Sequence, residues 1–93
     1  MTGAMYTLRE TDLFQAQSIQ ICEMRYIDEA LSILTFLISK NPDEFDDIPG
    51  YSPIKMAKSD VFTKDGITVP RLRIWFRVID KNIIELMAVE TFE

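Results

Sequence analysis

Over residues 69–78 the chain reads Val-Pro-Arg-Leu-Arg-Ile-Trp-Phe-Arg-Val, and from Arg71 onward apolar and polar positions alternate without a break. Leu72, Ile74, Phe76 and Val78 fall on one side, and Arg71, Arg73, Trp75 and Arg77 on the other. Successive side chains of a β-strand point to opposite faces, so a period of two predicts a strand over residues 69–79. One of its faces is apolar. The other carries three arginines and a tryptophan.

The remaining pattern predicts elements on both sides of this strand. Tyr6 and Leu8, flanked by Thr7 and Arg9, mark a first strand over residues 5–10, preceded by a loose end at residues 1–4. Thr11 or Asp12 is the N-cap of a first helix that runs to about Met24. Ile27, Ala30, Leu31, Leu34, Phe36, Leu37 and Ile38 recur at three- and four-residue spacing and predict a second helix. Asn41-Pro42 ends it, because proline cannot continue a helix and restricts the residue before it. The break near Arg25 and Tyr26 is weak, and one long kinked helix is the alternative. A loop rich in acid, Pro, Gly and Ser follows over residues 43–53, then a strand over residues 54–61 that carries Lys55 and Lys58. Lys64-Asp65-Gly66 and Asp80-Lys81-Asn82 are turn signals on either side of the arginine-bearing strand. The last strand, over residues 83–92, places Ile84, Leu86 and Ala88 on one face and Glu85, Met87 and Val89 on the other. The order β-α-α-β-β-β predicts a two-layer α+β fold, with two N-terminal helices on one face of a mostly antiparallel four-stranded sheet.

Composition narrows the chemistry. With 93 residues, 47% of them hydrophobic and 27% charged, the chain reads as one globular domain with a modest core. Its formal net charge is −5, so an anion-binding site has to be local rather than spread over the surface. There is no histidine, which excludes Ser-His and Cys-His nucleophile pairs and removes the commonest metal ligand. The single cysteine, Cys22, excludes internal disulfides and lies among apolar neighbours, where a small core residue is expected. The acidic run at residues 43–47 lacks the glycine and distal glutamate of a calcium hand and reads as a solvated turn. No metal or cofactor is expected. The start of the chain does not have the pattern of a signal peptide, and the longest apolar stretch, residues 33–38, is too short for a bilayer. These features fit a cytoplasmic chain with no membrane contact.

The segment Arg-Ile-Trp-Phe-Arg-Val-Ile-Asp-Lys-Asn-Ile-Ile-Glu-Leu-Met-Ala-Val, which begins at Arg73, resembles the C-terminal hairpin of the RelE/ParE toxin superfamily. There an Arg-aliphatic-aromatic-aromatic strand, a short polar turn and an aliphatic strand follow one another. Ser-Pro-Ile-Lys-Met-Ala-Lys-Ser, which begins at Ser52, is similar to the preceding basic strand. The resemblance covers most of the chain after Met5. It implies a RelE/ParE-like fold and a toxin of a type II toxin–antitoxin, or plasmid stabilisation, system. The implied partners are a protein antitoxin and either messenger RNA on the ribosome or DNA gyrase. Arg73 matches the strand arginine that acts near the scissile phosphate, and Lys55 and Lys58 match the lysines of the preceding strand. Their spacing is one residue longer, which turns one lysine to the other face unless a bulge absorbs it. The family's further catalytic residues, expected just after the last strand, have no counterpart in Glu90-Thr91-Phe92-Glu93.

Cleavage of RNA through the 2′-hydroxyl needs a base, a cation for the charged phosphorane and an acid for the leaving oxygen. Arg71, Arg73 and Arg77 offer guanidiniums for phosphate, and Trp75 a ring on which a base can stack. The resemblance makes Arg73 the candidate catalytic residue, and Arg71, Arg77, Lys55, Lys58 and Trp75 are the candidate phosphate or RNA contacts. The base and acid are unassigned, with Glu90, Lys55 and Lys58 as the nearest choices, so whether the chain is an enzyme stays open. The alternative is a catalytically inactive α+β interaction module, whose arginines pair with carboxylates such as Glu85 and whose exposed Trp75 meets a partner or a second copy.

Overall fold

A computed structural model describes residues 5–92, and its elements follow the expected order with one addition. Strand β1 (Thr7–Glu10) leads into helices α1 (Asp12–Ile21) and α2 (Ile27–Lys40). A 3-10 turn at Pro42–Glu44 and the acidic loop lead to β2 (Lys55–Lys58), β3 (Phe62–Lys64), β4 (Ile67–Val69), β5 (Arg71–Asp80) and β6 (Ile83–Phe92). The loose end expected at residues 1–4 lies outside the described residues.

The addition is the hairpin β3–β4, a separate two-stranded sheet where a turn alone was expected. Its turn residues Asp65 and Gly66 both have positive φ, 53° and 77°, as a two-residue loop matched to strand twist requires. The strand expected over residues 54–61 therefore ends at Lys58. Pro70 lies between β4 and β5, where the missing N–H of proline breaks a ladder.

The main sheet has the order β1-β6-β5-β2. β5 runs antiparallel to both β2 and β6, while β1 runs parallel to β6, so the sheet is mixed. Two separate helices form rather than one kinked helix, because Tyr26 takes a left-handed φ of 66° and breaks the helical path. Thr11 is the N-cap of α1: its Oγ1 accepts from the Phe14 N–H at 3.1 Å and donates to the Met87 carbonyl at 3.0 Å. One cap thus starts the helix and fastens it to the sheet.

The core lies between the helices and one face of the sheet. Phe14 comes from α1 and Ile27, Ala30, Leu34 and Ile38 from α2; they meet Ala57, Val69, Leu72, Ile74, Phe76, Ile84, Leu86 and Val89. Phe45 packs edge-on against Phe76, with centroids 5.7 Å apart.

The alternation expected for β6 is interrupted. Trp75 pairs with Ala88, but the next residue, Phe76, pairs with Leu86, so Met87 is an extra residue in a β-bulge. Val89 turns into the core at 1% exposure, and Ala88 is left half-buried opposite Trp75. The loosened edge is closed by α1, where Gln17 Oε1 accepts from the Val89 N–H at 2.9 Å. Because a bulge reverses parity, Glu85 and Glu90 both come to the face away from the helices, each opposite an arginine of β5.

Candidate anion-binding face

The sheet face away from the helices, hereafter the outer face, carries Arg71, Arg73, Trp75 and Arg77 of β5, as the alternation predicts. Met56 and Lys58 of β2 join it, because they pair with Trp75 and Arg73. Arg9 joins from β1 opposite Glu85. Lys55 does not. It pairs with Phe76, on the other parity, and its Nζ lies 2.9 Å from Asp47 Oδ1 and donates to the Phe45 carbonyl at 3.1 Å. The one-residue spacing difference between the two lysines has its simple consequence: no bulge absorbs it, and they part to opposite faces.

The arginines differ in what they touch. Arg77 Nε donates to Glu85 Oε1 at 2.9 Å, and Arg9 Nη2 lies 3.6 Å from Glu85 Oε2. Arg73 Nε donates to Glu90 Oε2 at 2.6 Å, and its Nη2 is 2.5 Å from the same oxygen. Arg71 donates through Nε to the Ser59 carbonyl at 3.3 Å and, among the described residues, has no carboxylate partner. The same holds for Lys58.

Three of these cations surround one ring. Phe92 has the Arg73 guanidinium carbon 4.5 Å from its centroid, that of Arg71 at 4.6 Å and Lys58 Nζ at 5.9 Å. A ring face attracts cations, so Phe92 holds like charges together that would otherwise spread apart. Glu90 is the carboxylate that answers this group. On the outer face of the four strands, five cations (Arg9, Lys58, Arg71, Arg73, Arg77) stand against three carboxylates, Glu85, Glu90 and, at the end of β5, Asp80. A chain of net charge −5 therefore holds a local positive surface.

Trp75 is half-buried rather than exposed. It lines an apolar groove of about 350 Å³ with Leu13, Ile48, Tyr51, Ile54, Met87 and Ala88. Phe92, Leu13, Tyr51 and Met87 were not expected at the site. Phe92 falls opposite Arg71 only after the bulge has shifted the register, and period-two counting across β6 does not include that shift.

The titratable groups with shifted pKa lie elsewhere. The Tyr26 hydroxyl donates to Asp65 Oδ2 at 2.5 Å, and this bond raises its pKa above 10.0. Lys64 is raised above 10.5 by its hydrogen bonds to Glu29, at 2.6 and 2.8 Å. Together these contacts tie the β3–β4 hairpin to the start of α2. Cys22 is exposed at the end of α1 and is not the core residue expected, and partial desolvation and the Asp28 carboxylate raise its thiol above 9.0. Among the described residues no three His, Cys, Asp or Glu side chains are grouped to hold a metal, and no helix is long and apolar enough to cross a membrane.

Chemically, the face can hold an anion through Arg71 and Lys58. Of the three residues considered as base or acid, Glu90 is committed to Arg73 and Lys55 is on the other side of the sheet, which leaves Lys58 beside Arg71 among the described residues. Comparison with protein-family models, with curated proteins and with solved structures gave no significant match.

Proposed function

We propose that this chain is a RelE/ParE-like, toxin-type component that binds an anionic partner on its outer sheet face and does not cleave it. The observation that carries the reading is the set of three cations around Phe92, two of them without a carboxylate partner among the described residues. Guanidinium and ammonium groups held in a fixed array suit the phosphates of a single-stranded RNA, and the nearby Trp75 suits a stacked base. An acidic antitoxin segment would compete for the same charges. The order of elements, with two helices before the arginine-bearing hairpin, supports the RelE/ParE likeness.

A second reading rests on the Arg73–Glu90 pair. It occupies the arginine that the family resemblance makes catalytic, which favours an inactive interaction module. Both readings bear on the same experiment. The chain is expressed from a tightly controlled promoter in a bacterial host, and growth and message integrity are followed. In parallel, a labelled single-stranded RNA is titrated with purified protein at low salt. Growth arrest with intact messages, and RNA binding weakened by Arg71→Ala and Lys58→Ala but not by Lys55→Ala, is the expected result. Normal growth together with RNA binding unchanged in all three variants overturns the toxin reading and the anion site together.

A further inference from the structure

Helix α2 carries more apolar surface than the sheet covers. Ile27, Ala30, Leu34 and Ile38 turn inward and are buried. Ile33, Phe36 and Leu37 lie on the adjoining face and are 60%, 49% and 46% exposed. Residues three and four apart on a helix are neighbours, so these three form one continuous patch rather than scattered exposures. A groove of about 260 Å³ runs alongside, between Ile33, Leu37 and residues 58–60.

The ends of this patch carry opposite charges. Glu29 stands one turn before Ile33 and Lys40 one turn after Phe36, on the same face. Glu29 is held in place by Lys64 at 2.6 Å, and Lys40 Nζ rests 5.8 Å from the Phe36 centroid. A strip with an acid at one end, a base at the other and apolar residues between is complementary to itself when run antiparallel.

We propose that α2 is the seam of a homodimer, in which the helix packs antiparallel on α2 of a second copy. A two-fold axis between Leu34 and Thr35 sets Ile33 against Phe36 of the second copy, with Leu37 beside that contact. The same axis sets Glu29 against Lys40 of the second copy at both ends. A parallel pairing sets Glu29 against Glu29 and Lys40 against Lys40, so the charges select the antiparallel one. The helix dipoles favour it too. None of Arg71, Arg73, Trp75 or Phe92 belongs to this seam and Lys58 only borders the groove beside it, so the inference is tested apart from the anion-binding face.

Sedimentation of the purified full chain tests it over about 5 to 500 µM, the range of weak self-association. The wild type is expected to move from 10.8 kDa toward twice that mass. Ile33→Asp is expected to remain monomeric throughout, with its circular dichroism unchanged because the position is exposed. Lys40→Glu is expected to weaken association about fivefold through two reversed ion pairs, and the Glu29→Lys/Lys40→Glu double variant to restore it. A wild type that stays monomeric at the highest concentration overturns the seam. So does a dimer that survives Ile33→Asp, or one that is lost in Leu13→Asp, which would move the contact to the Trp75 groove.

Discussion

On the inner face of the sheet β5 presents Leu72, Ile74 and Phe76, all fully buried, while on the outer face Arg71, Arg73 and Trp75 of the same strand remain partly open. The inner face is closed by two helices and packs one apolar cluster. Among the described residues the outer face is flanked only beside Trp75, by Leu13 and the loop residues Ile48, Tyr51 and Ile54, so its charges must balance across neighbouring strands. They do so at Arg77–Glu85 and Arg73–Glu90, and fail to do so around Phe92. One face is thus organised by volume and the other by charge. A substitution should act on stability through the first and on binding through the second.

The largest effect that breaks this contrast is a cavity on the inner face. Phe76→Ala is expected to cost about 3–5 kcal/mol in chemical denaturation, because a fully buried ring leaves a void that rigid neighbours cannot fill. Trp75→Ala, one residue along, is expected to cost about half as much, since its ring is only half-buried. Equal losses for the two would mean that the outer face is packed as tightly as the core.

Much of the inner face was legible in the sequence, because burial selects residues by a fixed period. The alternation in β5 and the spacing of Ile27, Ala30, Leu34 and Ile38 both reflect it. The outer face was legible only as far as the first irregularity. Nothing in Ile-Ile-Glu-Leu-Met-Ala-Val marks Met87 as an extra residue; the bulge falls where Thr11 and Gln17, distant in sequence, bond to the edge of β6. Glu90 and Phe92 could therefore not be placed beside Arg73 and Arg71 by counting. The hairpin β3–β4 was missed for a related reason. Asp65-Gly66 signals a turn, but its short flanking strands join no longer sheet. The surplus apolar residues of α2 read as core because a helix pattern does not say how much of it will be covered.

Glu90→Gln sharpens the charge side of the contrast. The pair it breaks is substantially exposed, so the expected stability cost is below about 1 kcal/mol. Freeing Arg73 adds one net positive charge to the face. Binding of a single-stranded RNA at low salt is therefore expected to tighten severalfold, with a steeper salt dependence. Unchanged affinity would show that Arg73 does not belong to the binding surface, whatever its neighbours do.

A smaller effect lies in the β3–β4 hairpin, which is tied to the start of α2. Tyr26 and Lys64 both have pKa values raised above their unfolded ones. For a raised pKa, the stabilisation is fully present below the unfolded value and is lost as pH rises through the folded one. The tie between hairpin and α2 should therefore hold at neutral pH and loosen above about 10, when the tyrosinate can no longer donate to Asp65. Melting temperature measured from pH 8 to 11 should fall more steeply in the wild type than in Tyr26→Phe. Parallel curves for the two would remove the Tyr26–Asp65 bond from the account.

The smallest effect concerns Cys22, which belongs to neither face and reports on the end of α1 alone. Its thiol is exposed, yet its pKa is raised by partial desolvation and by Asp28. Only the thiolate is nucleophilic, so exposure and reactivity are uncoupled here. At pH 8 its alkylation by iodoacetamide should be slower than that of free cysteine, and the rate should climb to a plateau at higher pH. Asp28→Asn should recover only part of the difference, because desolvation is the larger cause. A reaction at pH 8 as fast as that of free cysteine would mean that the helix end is more open to water than its packing implies.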